Sequence, residues 1–315
     1  MKILITGGAG FIGSNLARKL LSKGKKITIL DNFLPTSKDF YGNSENLRVV
    51  NGDIRDSHLI NELMSEVEVV FHLAAAVGVD KILDSPVESI SVNINGSQVV
   101  LEAAAKLQRR IFIASSSEVY GKNPSQPLSE TDDRVVGSPI NYRWSYSDSK
   151  AIEEAMASFY YKRMGLPVTI IRFFNIVGPG QKVESGMVLP RFVNSAIQGK
   201  DLNVFGDGTQ TRTFCHVYDA IGALEGLAIN PSSIGEVYNV GSNEEINMLK
   251  LAEKVISLTN SSSAISLIPY DKAFISGYED MPRRKPNISK INNLIGWQPK
   301  YSLDEIIKEV ASSIK

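Results

Sequence analysis

Two side chains near the middle of this sequence, Tyr146 and Lys150, stand four residues apart in Tyr146-Ser147-Asp148-Ser149-Lys150. On a helix that spacing puts a phenol and an ammonium on one face. A nearby positive charge favours phenolate and draws a tyrosine pKa down from about 10. Such a phenolate can take a proton from an alcohol while hydride leaves the same carbon. The same spacing is common on solvated helices, so its meaning depends on the surrounding residues. Upstream, the apolar run Ile111-Phe112-Ile113-Ala114 leads into Ser115-Ser116-Ser117-Glu118-Val119-Tyr120-Gly121. Hydroxyls and a carboxylate at a strand's carboxyl end lie where doubly wound sheets bind ligands. A serine-rich loop is otherwise a plain turn.

A hydride needs an acceptor, and the start of the chain offers a place for one. The apolar run Ile3-Leu4-Ile5 is followed by Gly7-Gly8-Ala9-Gly10-Phe11-Ile12-Gly13. Glycines let the backbone turn tightly and approach a pyrophosphate with no Cβ in the way. The helix that follows presents free N–H groups and its positive dipole end to phosphates. A glycine turn without a ligand is the alternative, but the strand before it, the helix after it and a carboxylate about 20 residues on favour a dinucleotide. That carboxylate is Asp31, with Asn32 beside it. It can accept from both adenosine ribose hydroxyls and would repel a 2′-phosphate, which selects NAD over NADP. Asp53-Ile54 follows a further strand and is placed either against the adenine or in a surface loop.

The elements that must position these residues alternate along the first half. Strands are expected at 2–5, 26–30, 47–51, 67–72, 110–114 and 168–173, and helices at 12–22, 87–107 and 150–164. That alternation implies parallel pairing in an α/β, doubly wound sheet. The segment 235–241 reads as a strand returning to the sheet, and 303–310 as an amphipathic helix. The expected division is a dinucleotide-binding Rossmann domain at 1–175, with a returning segment at about 204–241. A smaller substrate-binding lobe takes 176–203 and 242–315. The chain has 315 residues, enough to bury roughly three-quarters of its unfolded surface.

Composition narrows the classes. Lys+Arg and Asp+Glu are 34 each, so no basic surplus points to nucleic acid. A single cysteine, Cys215, cannot form a disulfide within the chain. The three histidines, His58, His72 and His216, lack metal-ligand spacing, so no metal is expected. No signal peptide and no apolar stretch long enough to span a membrane are read, and the expected location is the cytoplasm.

Taken together, these motifs resemble the extended short-chain dehydrogenase/reductases of the NAD-dependent epimerase/dehydratase family. The resemblance covers nearly the whole length. It rests on Thr6-Gly7-Gly8-Ala9-Gly10-Phe11-Ile12-Gly13, His72-Leu73-Ala74-Ala75, Ser116-x-x-Val119-Tyr120-Gly121, Tyr146-x-x-x-Lys150, Arg172-Phe173-Phe174-Asn175 and Gly178-Pro179. It implies that Tyr146 is the base on a sugar C4 hydroxyl, that Ser116 hydrogen-bonds the same hydroxyl, and that Lys150 binds the nicotinamide ribose. It adds Leu73, Ala74 and Ala75 to the cofactor site. It assigns Asn175, Arg191, Arg212 and Arg284 to a nucleotide diphosphate sugar, a UDP-sugar by preference. The family's Arg-Asp after the Gly-Asp-Gly turn is Arg212-Thr213 here, which keeps the arginine and loses a carboxylate.

Within the family the reaction depends on the triplet Ser116-Ser117-Glu118. Glucose-type 4,6-dehydratases carry Thr-Asp-Glu. UDP-glucuronate decarboxylases carry Thr-Ser-Glu and an Arg-Lys-Pro segment, found here as Arg284-Lys285-Pro286, and Arg143-Trp144-Ser145-Tyr146 resembles the segment before the tyrosine in bacterial decarboxylase domains. GDP-mannose 4,6-dehydratases share Ser-Glu, so the triplet leaves more than one reaction open. The leading expectation is a UDP-glucuronate decarboxylase, with Glu118 and Ser117 orienting the sugar or handling protons. A UDP-sugar 4-epimerase is the alternative, a 4,6-dehydratase the third, and a binding protein without catalysis a fourth. The resemblance also implies a homodimer through a four-helix bundle built from 87–107 and 151–164.

Overall fold

Every residue of β1 (Lys2–Thr6) beyond Lys2 is out of contact with solvent, on both faces of the strand. A run that apolar fits only the middle of a parallel sheet covered on both sides. The computed structural model, which describes residues 1–33, 44–77, 85–183, 186–273 and 279–314, places it there. Its neighbours are β2 (Lys26–Asp31) on one side and β4 (Val69–His72) on the other, both parallel. Beyond β2 lies β3 (Leu47–Asn51), an edge strand that is largely exposed. Beyond β4 come β5 (Arg110–Ser116), β6 (Val168–Phe173) and, last, the returning strand Val237–Val240. The strand order reverses between β1 and β4, and there Thr6 and His72 stand in register at the carboxyl ends.

The sheet's two faces bury different clusters, as a period of two requires. Ile3, Ile5, Ile27 and Ile29 pack with α1 (Phe11–Ser22) and with the later helix Val217–Ile229. Leu4, Val70, Ile111 and Ile113 pack on the other face with α2 (Ser57–Ser65) and two further helices. Each fully buried aliphatic side chain contributes roughly 1.5–3 kcal/mol over an exposed one.

The stretch 87–107 is not one regular helix. It runs as α3 (Pro86–Ser91), a π-helical segment (Val92–Gly96) and α4 (Ser97–Lys106). At Gly96 a Cβ would lie 2.3 Å from the end of the Ile54 side chain, which would have to shift to admit it. The next helix, α5 (Ser145–Met164), begins five residues earlier than the apolar pattern suggests and takes in Tyr146. Glu154 of α5 pairs with Arg172 of β6 at 2.7 Å and ties the helix to the sheet.

A third cluster joins α6 (Val188–Ile197) to the helices Met248–Thr259 and Leu303–Ser313. The strand after α6, Leu202–Phe205, belongs to this cluster: it pairs with Ile265–Ile268 rather than with the central sheet. The chain therefore rejoins the sheet later than the expected 204. Its first steps back are Cys215–His216, paired with Ile176–Val177, and then Val217–Ile229 in the core under α1. Residues 288–297 also depart from the expected lobe, since Ile288, Ile291 and Trp297 lie in the sheet-side cluster. Among the described residues no helix is long and apolar enough to cross a membrane.

Candidate active site

The glycine loop lies at the strand-order reversal. Gly7 has φ +70, and a Cβ there would sit 2.6 Å from the Ala74 amide nitrogen. Only glycine lets the loop pass so close to Leu73-Ala74-Ala75 after β4. A Cβ at Gly13 would fall 2.3 Å from the Gly7 carbonyl oxygen, so this residue sets how closely α1 meets the strand. Gly10 is the N-cap of α1; no side chain caps the helix there and its first turn holds no acidic residue. Phe11 and Ile12 begin the helix and pack against the sheet-side cluster. An uncapped amide end behind a glycine cradle fits the pyrophosphate of a dinucleotide.

Asp31 lies at the end of β2 and its carboxylate already shapes this loop. It accepts from the Ala9 amide at 2.9 Å and the Phe33 amide at 3.0 Å. A carboxylate has about four acceptor positions, so capacity for ribose hydroxyls is left. Asn32 is exposed beside it. Asp53 is held by Arg55 at 2.6 and 3.0 Å, and that hydrogen bonding keeps its carboxyl below the ordinary range. Arg55 in turn meets Glu88 of α3 at 2.8 Å. Ile54 turns its side chain into the core.

Tyr146 and Lys150 share the inner face of α5, next to the end of β5. Tyr146 is hydrogen-bonded to the Ser116 hydroxyl. Lys150 donates to the Ala114 carbonyl at 2.8 Å and to the buried Glu153 carboxylate at 2.6 Å. The Tyr146 phenol stands above its ordinary pKa, not below it. Burial dominates; Lys150 opposes it, while the negative charges of Glu118 and Glu153 add to it. The Tyr–Lys spacing alone does not reveal those two carboxylates. Lys150 is held charged: Glu153 and Tyr146 together outweigh the cost of burying its ammonium.

Glu118 follows in the short 3-10 turn Ser117–Tyr120, with Ser117 buried before it. One carboxylate oxygen meets Arg143 at 2.6 Å and the other is bonded by Arg284. Burial alone would raise this carboxyl; the two guanidiniums bring it down to about 2. Arg284 also donates to the Asn175 side chain at 2.6 Å. Asn175 has φ +39, a left-handed conformation that asparagine tolerates better than most residues. Its amide donates to the Thr213 carbonyl at 2.8 Å. Arg212 is in register with Arg284 across two short strands and is held by Asp280 at 2.7 Å. Arg191, on α6, stacks 4.1 Å above Phe205.

Five of the expected residues, Tyr146, Lys150, Ser116, Ser117 and Glu118, thus converge at the end of β5, with Asn175, Arg212 and Arg284 joining from the far side. Sequence reasoning left Glu153 and Ser97 without a role, and gave Arg143 and His72 only a motif. Glu153 stands three residues beyond Lys150 on the same helix face, a spacing that solvated pairs share. Asn93, in the π-helical segment, was also missed; it bridges Ala76 and Ser149 at 2.8 and 3.1 Å.

A family model described as GDP-mannose 4,6 dehydratase matches residues 4–310. A UDP-N-acetyl-alpha-D-glucosaminuronate decarboxylase of Bacillus cytotoxicus is 41% identical over 98% of this chain and 96% of its own length. A UDP-glucuronic acid decarboxylase 1 of Xenopus tropicalis is 34% identical, over 96% of this chain and 70% of that protein. Among solved structures, the UDP-glucuronic acid 4-epimerase of Bacillus cereus, in complex with UDP-glucuronic acid and NAD, superposes with a TM-score of 0.88. It is 28% identical, and the match covers 100% of this chain and 99% of that one.

Proposed function

Because the chain belongs to the GDP-mannose 4,6-dehydratase family of extended short-chain dehydrogenase/reductases, we propose that it decarboxylates a UDP-linked uronic acid through a 4-keto intermediate. The observation that carries this reading is the set of charges around Glu118. Two guanidiniums, Arg143 and Arg284, face the Glu118 carboxylate in a largely buried cluster. The Nε of Arg284 is buried without a hydrogen-bond partner among the described residues. A substrate carboxylate would give Arg284 a second anionic partner.

The residues then act in sequence. Tyr146, with Lys150 beside it and Ser116 bonded to it, takes the proton of the sugar C4 hydroxyl. Gly7, Gly10, Gly13, Asp31 and the Leu73-Ala74-Ala75 segment would hold NAD, which when bound would supply the acceptor for the C4 hydride. The ketone left at C4 makes the C6 carboxylate that of a β-keto acid. Loss of carbon dioxide leaves the electron pair spread from C5 to the C4 oxygen, where Tyr146 and Ser116 stabilise it. Arg212, Asn175 and Arg191 are assigned to the nucleotide diphosphate end.

Arg143 and Arg284 hold Glu118 ionised, which suits it to orienting the sugar. The dehydratase route needs an acid to protonate the departing hydroxyl, and Ser117 stands where that acid would be. The C2 substituent divides the relatives. The 41% identical relative is named for the 2-acetamido uronate and the 34% identical one for glucuronate. Purified protein with NAD should release carbon dioxide from UDP-glucuronate or from its 2-acetamido analogue. An isomer of unchanged mass would instead make it an epimerase.

The same reading includes a homodimer and a cytoplasmic location. Ile90 of α3 and Ile152, Phe159 and Met164 of α5 are exposed on the two helical stretches that would pair. A dimer mass by light scattering at micromolar concentration is the expected result, and a monomer would contradict it.

A further inference from the structure

Behind Lys150 runs a line of polar side chains that proton abstraction by Tyr146 does not require. Glu153 is fully buried, and so are His72, Ser97 and Thr6. The Ser97 hydroxyl donates to Glu153 at 2.9 Å. His72 Nε2 lies 3.0 Å from the same hydroxyl, and its Nδ1 lies 2.7 Å from the Thr6 hydroxyl. Ser97 has one proton, and it goes to Glu153. Nε2 must therefore carry the imidazole proton and donate to Ser97, while Nδ1 accepts from Thr6. Every hydrogen bond in the line points toward the Glu153 carboxylate, and Lys150 donates to it from the other side. Thr6 is the last residue before the glycine loop.

We propose that Glu153 is a positioning residue for the Tyr146–Lys150 pair, its buried carboxylate fixing the ammonium and joining it through Ser97 and His72 to Thr6 at the root of the glycine loop. Two consequences follow from the geometry. The ammonium cannot swing away from the Ala114 carbonyl without breaking a buried ion pair. Part of its field is also spent on Glu153, so less reaches Tyr146. The charged groups acting on Tyr146 are Lys150, Glu118 and Glu153, with Arg143 and Arg284 beyond Glu118. Those acting on Glu153 are Lys150 and Glu154, with His72 kept neutral by burial and by Lys150.

The inference rests on the Tyr146 assignment but not on which sugar is turned over, so its test reads the phenol directly. Tyrosinate absorbance is titrated in the NAD complex, with a Tyr146→Phe protein subtracted, for the natural protein, Glu153→Gln and Glu153→Asp. Glu153→Gln removes the charge and keeps the shape, and the midpoint should fall by about one pKa unit, a tenfold change in phenolate. Glu153→Asp keeps the charge, and its midpoint should stay within a few tenths of a unit of the natural protein's. Circular dichroism and NAD binding establish that each variant is folded, and Ser97→Ala, expected to shift the midpoint less than Glu153→Gln, serves if that variant is not. An unchanged midpoint in Glu153→Gln, a rise, or equal shifts in both Glu153 variants would reduce Glu153 to a counter-ion that only stabilises the fold. Absence of uronate turnover with the expected midpoints would overturn the proposed reaction and leave this inference standing.

Discussion

Two glutamates on either side of Tyr146 have been withdrawn from bulk water with opposite results. Glu118 faces two guanidiniums and is pulled down to about 2. Glu153 faces one ammonium and a neutral imidazole, and burial pushes its carboxyl up. Residue type and depth do not decide the outcome; the number of nearby cations does. The Glu118 side brings two guanidiniums together next to Asn175, where the proposed substrate anion would lie. The Glu153 side balances its charges and lies against the sheet, where only positioning is left to do.

The largest expected break in this comparison is Arg284→Met, which leaves Glu118 with Arg143 alone and makes it resemble Glu153. Turnover of the uronate should fall by about 100-fold or more, measured as kcat/KM, since one preorganised charge contact is lost at the reacting end. Glu118→Gln is the complementary break. It leaves two guanidiniums facing no carboxylate and should cost about 3 kcal/mol at neutral pH. It should also change the pH dependence of unfolding. A carboxyl held below its unfolded value of 4.5 adds stability above that pH and loses it as pH falls toward about 2. Thermal melts of Glu118→Gln should therefore show a shallower acid limb than those of the natural protein.

A smaller effect is expected on the other side. His72 is held down to about 3 by burial and by Lys150, against 6.5 in the unfolded chain. The native state binds the proton more weakly, so stability is lost as pH falls from about 6.5 toward 3. His72→Gln keeps a polar group in the line and should flatten that part of the melt curve, with Tm at neutral pH lowered by a few degrees. The smallest change should come from Asp53→Asn. Asp53 is engaged by Arg55 at the surface end of β3, and pairs this exposed are worth about 0.2–1 kcal/mol. NAD affinity by calorimetry should change by less than about threefold, and a larger loss would give Asp53 a direct part in the adenine site.

What the sequence disclosed divides along the same line. The glycine loop, Asp31 and the Tyr146–Lys150 face are local patterns, so residue spacing was enough to find them. The Glu118 cluster needed topology, because Arg143 and Arg284 reach it from 25 and 166 positions away. Both arginines stood in motifs, but only Arg284 was given a role. The Glu153 line needed more still: its burial depends on α4 and β4 closing over α5, and nothing in an isolated helix with a glutamate three residues after a lysine separates it from a solvated pair. The same limit explains Leu202–Phe205. Its apolar alternation marks a strand but does not choose between two sheets, and that choice was made by pairing with Ile265–Ile268.

The most direct test of the reaction is to incubate the protein with catalytic NAD and C6-labelled UDP-glucuronate, and separately with its labelled 2-acetamido analogue, while following labelled carbon dioxide and the sugar product by NMR. Release of the label from one of the two, abolished in Tyr146→Phe and strongly reduced in Arg284→Met, is the result predicted. Retention of the label in a product of unchanged mass would contradict it, and would make the charges around Glu118 an anchor for a uronate that is epimerised.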